Sequence, residues 1–206
     1  MGAVLSLDTL LAQRRLWRGQ PGGRAEAACE PSGHAALDAA LPGGGWPEAA
    51  LIELLLPADG VGELSLLLPT LARLTRAGRD IAWVDPPYRP YAPALARAGL
   101  DLTRLHVVDT GGRQSAWALE QCLRSQACGA VLGWPRQADD KTLRRLQVAC
   151  ETGQALGFVF RSAPAARNPS PAALRLQFEA GGVRILKCRG GHPPASLVPW
   201  APATRH

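Results

Sequence analysis

Short apolar runs alternate along this chain with stretches of helical period, the pattern of a parallel sheet whose strands are joined by crossover helices. Ala50–Leu55 reads as a buried strand and Leu64–Arg76 as a helix closed by Gly78. Ile81–Val84 is a second strand, Pro93–Ala98 a helix stopped by Gly99, and Leu105–Val108 a third strand. Ser115–Ala127 and Asp139–Thr152 read as helices flanking a fourth strand at Ala130–Gly133, and Leu156–Phe160 as a fifth strand. The rhythm then changes. Arg161–Pro171, rich in proline and without a hydrophobic period, reads as a loop, and Leu174–Glu179 with Val183–Cys188 as a β-hairpin turned by Gly181-Gly182 at the sheet edge.

The two ends follow other rules. Ser6 is placed to cap a helix through about Arg18 that carries Leu7, Leu10, Leu11 and Trp17 on one face, and Gly19–Ala28 reads as a linker. That helix either packs on its own domain or docks on a neighbour. Residues 190–206 are rich in proline with one large aromatic, Trp200, and read either as a disordered tail or as a short docking peptide anchored by Trp200. The chain thus divides into an N-terminal helix and linker (1–28), one α/β domain (29–189) and a flexible tail (190–206).

Composition narrows the class. At 206 residues, 47% hydrophobic and 19% charged, the chain is long enough to bury one substantial core. The net charge of +6 is uneven: residues 152–206 hold seven basic side chains against Glu179 alone. Such an excess suits a polyanion or an acidic protein surface, and equally a solvated basic face. The five cysteines, Cys29, Cys122, Cys128, Cys150 and Cys188, are widely spaced and form no metal or redox motif, so buried reduced thiols are expected in a cytoplasmic protein. Glu53 interrupts the best apolar run before the roughly 18 residues a membrane span needs. Asp8 and the lack of a basic start argue against a secretory signal, and no membrane partner is expected.

The stretch that bears on function is Glu53–Leu66, ELLLPADGVGELSL, lying between a strand and a helix where a phosphate loop of pattern GxxxxGK[ST] would stand. Preceded by Ser32-Gly33-His34, Leu37-Asp38 and the Pro42–Pro47 turn, it resembles the front of a RecA-type ATPase core. Leu56 stands for the first glycine of such a loop and, with one extra residue allowed, Gly62 stands for the second, Glu63 for the lysine and Leu64 for the Ser/Thr. A carboxylate there repels a triphosphate, and leucine cannot hold Mg²⁺. Ile81–Tyr88 resembles the strand that ends in the catalytic glutamate, with Asp85 kept and Pro87 in the glutamate's place. Gly129–Trp134 resembles the strand that ends in the Mg²⁺-supporting aspartate, with Trp134 in that place. The expectation is a degenerate ATPase fold: no enzyme, no catalytic residue, no cofactor and no metal.

Longer phrases narrow the resemblance. LDTLL…RRLWRG, SGHAALDAALPGGGWPEAALIELL, GGRQSAWALEQCLRSQACGAVLGW and FVFRSAPAARNPSPAALRLQF…GVRILKCRGG together resemble the ImuA family, RecA-related accessory proteins of bacterial SOS mutagenesis; the SulA cell-division inhibitors share the core. The resemblance implies a RecA-like core with a mostly parallel sheet, helices on both faces, a C-terminal β-hairpin and an N-terminal helix. It implies a role in the DNA-damage response and translesion synthesis, beside an ImuB-like Y-family polymerase homologue, with RecA and a C-family error-prone polymerase as further partners and room for self-association. The alternative is a SulA-like inhibitor that binds FtsZ. Expected protein-contact residues are Leu7, Leu10, Leu11 and Trp17 on the first helix and Tyr88, Arg89 and Tyr91 on the loop after the second strand. Arg161, Arg167, Arg175, Arg184, Lys187 and Arg189 are expected to meet DNA phosphates or an acidic partner, with Arg175 and Arg184 on the solvent side of the hairpin.

Overall fold

Strands and helices alternate through most of the chain as the periodicity predicts, in a computed structural model that describes residues 29–202. The helix expected to carry Leu7, Leu10, Leu11 and Trp17 falls outside the described residues. The order begins β1 (Cys29–Glu30), α1 (Ala35–Ala40), β2 (Trp46–Pro47), β3 (Leu51–Leu56), α2 (Leu64–Arg76), β4 (Asp80–Val84), α3 (Ala92–Arg97) and β5 (Leu105–Val108). It continues through α4 (Ser115–Arg124), β6 (Cys128–Gly133), α5 (Asp140–Gly153), β7 (Leu156–Ser162), β8 (Leu174–Glu179), β9 (Gly182–Cys188) and β10 (Val198–Pro199).

The main sheet runs β10-β9-β8-β3-β7-β6-β4-β5. From β8 to β5 every neighbouring pair is parallel, while β9 is antiparallel to β8 and β10 to β9. Because side chains alternate along a strand, Ile52 and Leu54 of β3 enter one core with Trp46, Trp83 and Phe158 under α1–α3. Leu51 enters the other, with Val84, Val131 and Val159 under α4 and α5. A parallel sheet covered on both faces explains why its strands read as unbroken apolar runs.

Local chemistry sets the boundaries. Asp139 accepts a hydrogen bond from the Thr142 backbone N–H at 2.7 Å and starts α5. The helix includes Gly153 and is capped by Gln154, which is left-handed at φ 52°. Gly153 is needed for another reason: a Cβ there would lie 1.7 Å from the Leu123 carbonyl oxygen, so α4 and α5 approach closely only over a glycine. The β1–β2 ribbon, which has no clear signal in the sequence, is tied to α2 by Trp46, whose indole N–H donates to Thr70 Oγ1 at 2.9 Å.

The C-terminal segment departs from the expectation of a flexible tail beginning at residue 190. Val198 and Pro199 pair with Val183 and Gly182, so a further strand lies outside the hairpin. The Trp200 ring meets Phe178 edge-on at 5.2 Å. The hairpin's outer strand offers unpaired backbone groups and Phe178 an apolar surface, and together these hold the proline-rich segment on its own domain.

Candidate functional site

The site is built where β3, β4, β6 and β7 end together, the carboxyl edge at which parallel α/β sheets carry their ligands. Residues 57–63 connect β3 to α2. Gly62 is left-handed at φ +92°, and a Cβ on it would lie 2.4 Å from Pro202, so glycine is required by both conformation and space. Glu63 precedes α2 and is only 4% exposed. Its side chain folds back over the loop, where Oε1 accepts from the Gly60 N–H at 3.3 Å, and Oε2 has no hydrogen-bond partner in the protein. A negative charge at a helix start is favourable, and here the chain supplies that charge itself.

Asp85 follows β4 in a left-handed conformation, φ 49°, and faces inward to the neighbouring loop. It accepts from the Thr110 N–H at 2.6 Å, from Thr110 Oγ1 at 2.5 Å and from Ser115 Oγ. Burial raises its pKa, but the hydrogen bonds from Ser115 and Thr110 outweigh burial and leave it below the ordinary value. Asp85 therefore joins the end of β4 to the start of α4. The lowered pKa means this bond network stabilises the fold above the unfolded-state pKa and is lost as pH falls through the folded value. Asp85→Asn is expected to cost about 2 kcal/mol at pH 7 and to flatten the stability profile at acid pH, as read from urea unfolding at several pH values.

Trp134 lies beyond β6, stacked on Phe160 with ring centroids 4.3 Å apart and planes 2° from parallel, and 6.1 Å from Trp83. The position thus carries a packed aromatic cluster. Two clefts open on either side of the loop after β4. One, about 990 Å³, has Asp59, Asp85, Asp109 and Arg136 among its walls; the other, about 720 Å³, is largely apolar and has Glu63, Trp83 and Trp134 among its walls. Tyr88 and Arg89 border both, and Tyr91 the second; all three are exposed, the tyrosines by 66% and 67%.

Two of the basic residues expected on the surface are internal. Glu53, fully buried in β3, is met by Arg161 from β7 and, at 2.7 Å, by Nε of Arg175 from β8. Arg161 also donates to the Ala138 carbonyl at 2.9 Å, and Arg175 to the carbonyls of Ala165 at 2.9 Å, Asn168 at 3.1 Å and Ala166 at 3.3 Å. Arg175 does point away from Leu174 and Leu176, but a 3-10 turn at Ala163–Arg167 covers that face of the sheet, so the face is not solvent. The same bonds order the segment expected as a loop. Arg184 is half-buried and held by both oxygens of Glu179, at 2.7 and 2.9 Å. Lys187 donates to the Ser170 carbonyl at 2.7 Å; burial first, then Arg175 and Arg189, hold its pKa below the ordinary value. Arg167 and Arg189 are exposed, Arg189 lying 3.9 Å from Glu151.

Sequence reasoning missed the pairing partner of these arginines, although a lone carboxylate inside an unbroken apolar strand is itself a signal for a buried ion pair. It also missed Trp117 on α4, 57% exposed. Among the described residues no group of three His, Cys, Asp or Glu side chains is placed to hold a metal ion, and no helix is long and apolar enough to cross a membrane. Burial raises the thiol pKa of Cys122, Cys128, Cys150 and Cys188, which keeps them protonated.

The fold is a RecA-like α/β fold: a KaiC-like protein of Pyrococcus horikoshii superposes with a TM-score of 0.56 at 16% identity, over 83% of this chain and 92% of that one. The family model "Cell division inhibitor SulA" matches residues 52–157, and the chain belongs to that family. It is 31% identical to the cell division inhibitor SulA of Photorhabdus laumondii over 111 residues, 53% of this chain and 63% of that protein. It is 27% identical to Protein ImuA of Caulobacter vibrioides over 192 residues, 78% of this chain and 79% of that protein. The chain is thus an ImuA/SulA-related protein.

Proposed function

We propose that this protein is a non-catalytic RecA-fold accessory protein of the bacterial SOS response, acting in the cytoplasm and supporting error-prone translesion synthesis by binding an ImuB-like Y-family polymerase homologue, RecA, or both. The observation that carries the non-catalytic part is Glu63, whose buried carboxylate lies at the start of α2 and takes the Gly60 N–H that a phosphate would use. Trp134 stacked on Phe160 supports it, because an indole neither activates water nor holds Mg²⁺. Likeness to an ImuA over 78% of the chain, reaching well past the 52–157 core, supports the choice of partners. Titration calorimetry with Mg²⁺-ATP is expected to show no heat of binding, and a micromolar Kd would overturn the pseudo-ATPase reading.

In this proposal docking falls to Tyr88, Arg89 and Tyr91 on the rim and to Leu7, Leu10, Leu11 and Trp17 on the helix expected from the sequence. Arg167, Arg184, Lys187 and Arg189 are left as the basic residues within reach of DNA or an acidic surface. Immobilised ImuB and RecA are expected to retain the full chain and to lose most of it when residues 1–19 are removed. Undiminished retention would move docking to the rim.

A second reading, inhibition of cell division through FtsZ, is supported by the family match itself and by the 31% identity to a SulA. Stoichiometric arrest of GTP-dependent FtsZ polymerisation by the purified chain, with no retention on ImuB or RecA, would decide for it.

A further inference from the structure

Among the described residues three glutamates are buried, and whereas Glu53 and Glu120 are each met by two arginines, Glu63 is not. Glu53 is fully buried and neutralised by Arg161 and Arg175. Glu63 is buried almost as deeply, at 4% exposed, yet no ion pair reaches it among the described residues. Its Oε1 takes one long bond from the Gly60 N–H, and its Oε2 takes none. The start of α2 favours the negative charge but gives Oε2 no donor. A carboxylate so placed calls for a cation from outside the fold.

The surroundings select the kind of cation. Glu63 borders the 720 Å³ cleft, whose walls include Trp134, Tyr88, Arg89 and Tyr91, with Trp83 1% exposed at its base; Arg89 is exposed on the rim and makes no ion pair with Glu63. A metal ion needs several oxygen or nitrogen ligands, whereas one carboxylate beside aromatic rings suits a flat organic cation. A guanidinium stacks on indole or phenol faces and reaches a carboxylate through its fork of N–H donors, where an ammonium is a compact and strongly hydrated charge. The cleft exceeds one side chain in volume, and its mouth is the exposed Tyr88–Tyr91 rim, composed of the residue types that dominate protein contacts. We propose that this cleft is a receptor for an arginine side chain presented by a partner polypeptide, with Glu63 as its counter-charge, the tryptophans as its walls and the rim as the bed for the flanking residues. The inference deepens the accessory-protein reading, and rests on it for the existence of a polypeptide partner.

The test uses the full chain labelled with ¹⁵N, following the indole N–H signals of Trp83 and Trp134, assigned by single Trp→Phe changes. The probe is the peptide Ac-Leu-Arg-Leu-NH₂, compared with the same peptide carrying citrulline, which keeps the shape of arginine and lacks its charge. The arginine peptide is expected to shift both signals saturably and the citrulline peptide to bind at least tenfold more weakly. Glu63→Gln, nearly isosteric, is expected to remove that tenfold difference while the remaining indole signals stay in place. Equal affinity for the two peptides, or unchanged selectivity in Glu63→Gln, overturns the proposal. Free arginine binding as tightly as the peptide overturns the polypeptide assignment in favour of a small cation. If shortening the chain after Pro202 raises peptide affinity tenfold, the pocket belongs to the chain's own end, and the partner assignment falls. Glu63→Gln retained undiminished on ImuB or RecA sinks this inference and leaves the accessory role standing; an arginine-selective cleft in a chain that neither ImuB nor RecA retains does the reverse.

Discussion

Glu53→Ala is expected to lower the unfolding free energy by about 3–5 kcal/mol, the usual cost of removing one partner from a buried ion pair. The carboxylate is 0% exposed, and both guanidiniums that meet it, Arg161 and Arg175, have side chains at or below 11% exposure. Without Glu53 those two cations face each other across β3 with no counter-charge. Arg175 would keep its bonds to the carbonyls of Ala165, Ala166 and Asn168, but carbonyl dipoles do not replace a full charge. The triple change Glu53→Leu, Arg161→Met, Arg175→Met is expected to be far milder, close to neutral, because hydrophobic side chains of similar volume often match a buried ion pair. It should nevertheless loosen the turn after β7, whose carbonyls lose their donor, and expose that turn to limited proteolysis. Urea midpoints measured at constant m decide the matter: a loss below about 1 kcal/mol in Glu53→Ala would mean that the arginines escape to solvent and the triad does not hold the sheet.

Trp134→Asp, which puts back the acid that a RecA-type core carries at this strand end, is expected to cost about 3–5 kcal/mol without creating nucleotide binding. The change removes a ring stacked on Phe160 at 4.3 Å and placed 6.1 Å from Trp83. It opens a void among aromatic side chains and puts a carboxylate near the one Glu63 already supplies to the same cleft. No lysine stands between β3 and α2 to share a phosphate with the new acid, and the Ser65 hydroxyl at the start of α2 is already taken by the Gly62 carbonyl, to which it donates at 2.7 Å. Thermal unfolding should show the destabilisation, and calorimetry with Mg²⁺-ATP should stay flat. A stable Trp134→Asp protein would mean that the aromatic cluster is incidental; one that binds Mg²⁺-ATP would mean that Trp134 alone had closed the nucleotide site.

Much of the architecture was legible in the order of residues. The apolar runs of β3, β4, β6 and β7 and the helical periods of α2 and α5 are long, regular signals whose physical cause, burial on both faces of a parallel sheet, acts within a few neighbouring residues. The strand ends that precede Glu63, Pro87 and Trp134 were legible for the same reason, and with them the lack of a lysine between β3 and α2. Less regular pieces were not. The two-residue strands β1, β2 and β10 are too short to have a period, and they exist because Trp46 and Trp200 find Thr70 and Phe178 far away in sequence.

By itself the sequence determined the alternation of strands and helices, the lack of a lysine between β3 and α2, and the concentration of positive charge in the last quarter of the chain. Only the tertiary structure decided what those charges do. Alternation along β8 places Arg175 opposite Leu174, but whether that side meets water depends on the turn at Ala163–Arg167, and whether a guanidinium is available depends on Glu53, more than a hundred residues earlier. Face is a local property of a strand, whereas burial and pairing are set by what folds back over it. The same distinction separates Glu53 from Glu63: the sequence shows one as a break in an apolar run and the other as a carboxylate in a loop, and only packing shows that Glu53 has its two arginines while Glu63 keeps an oxygen without a donor.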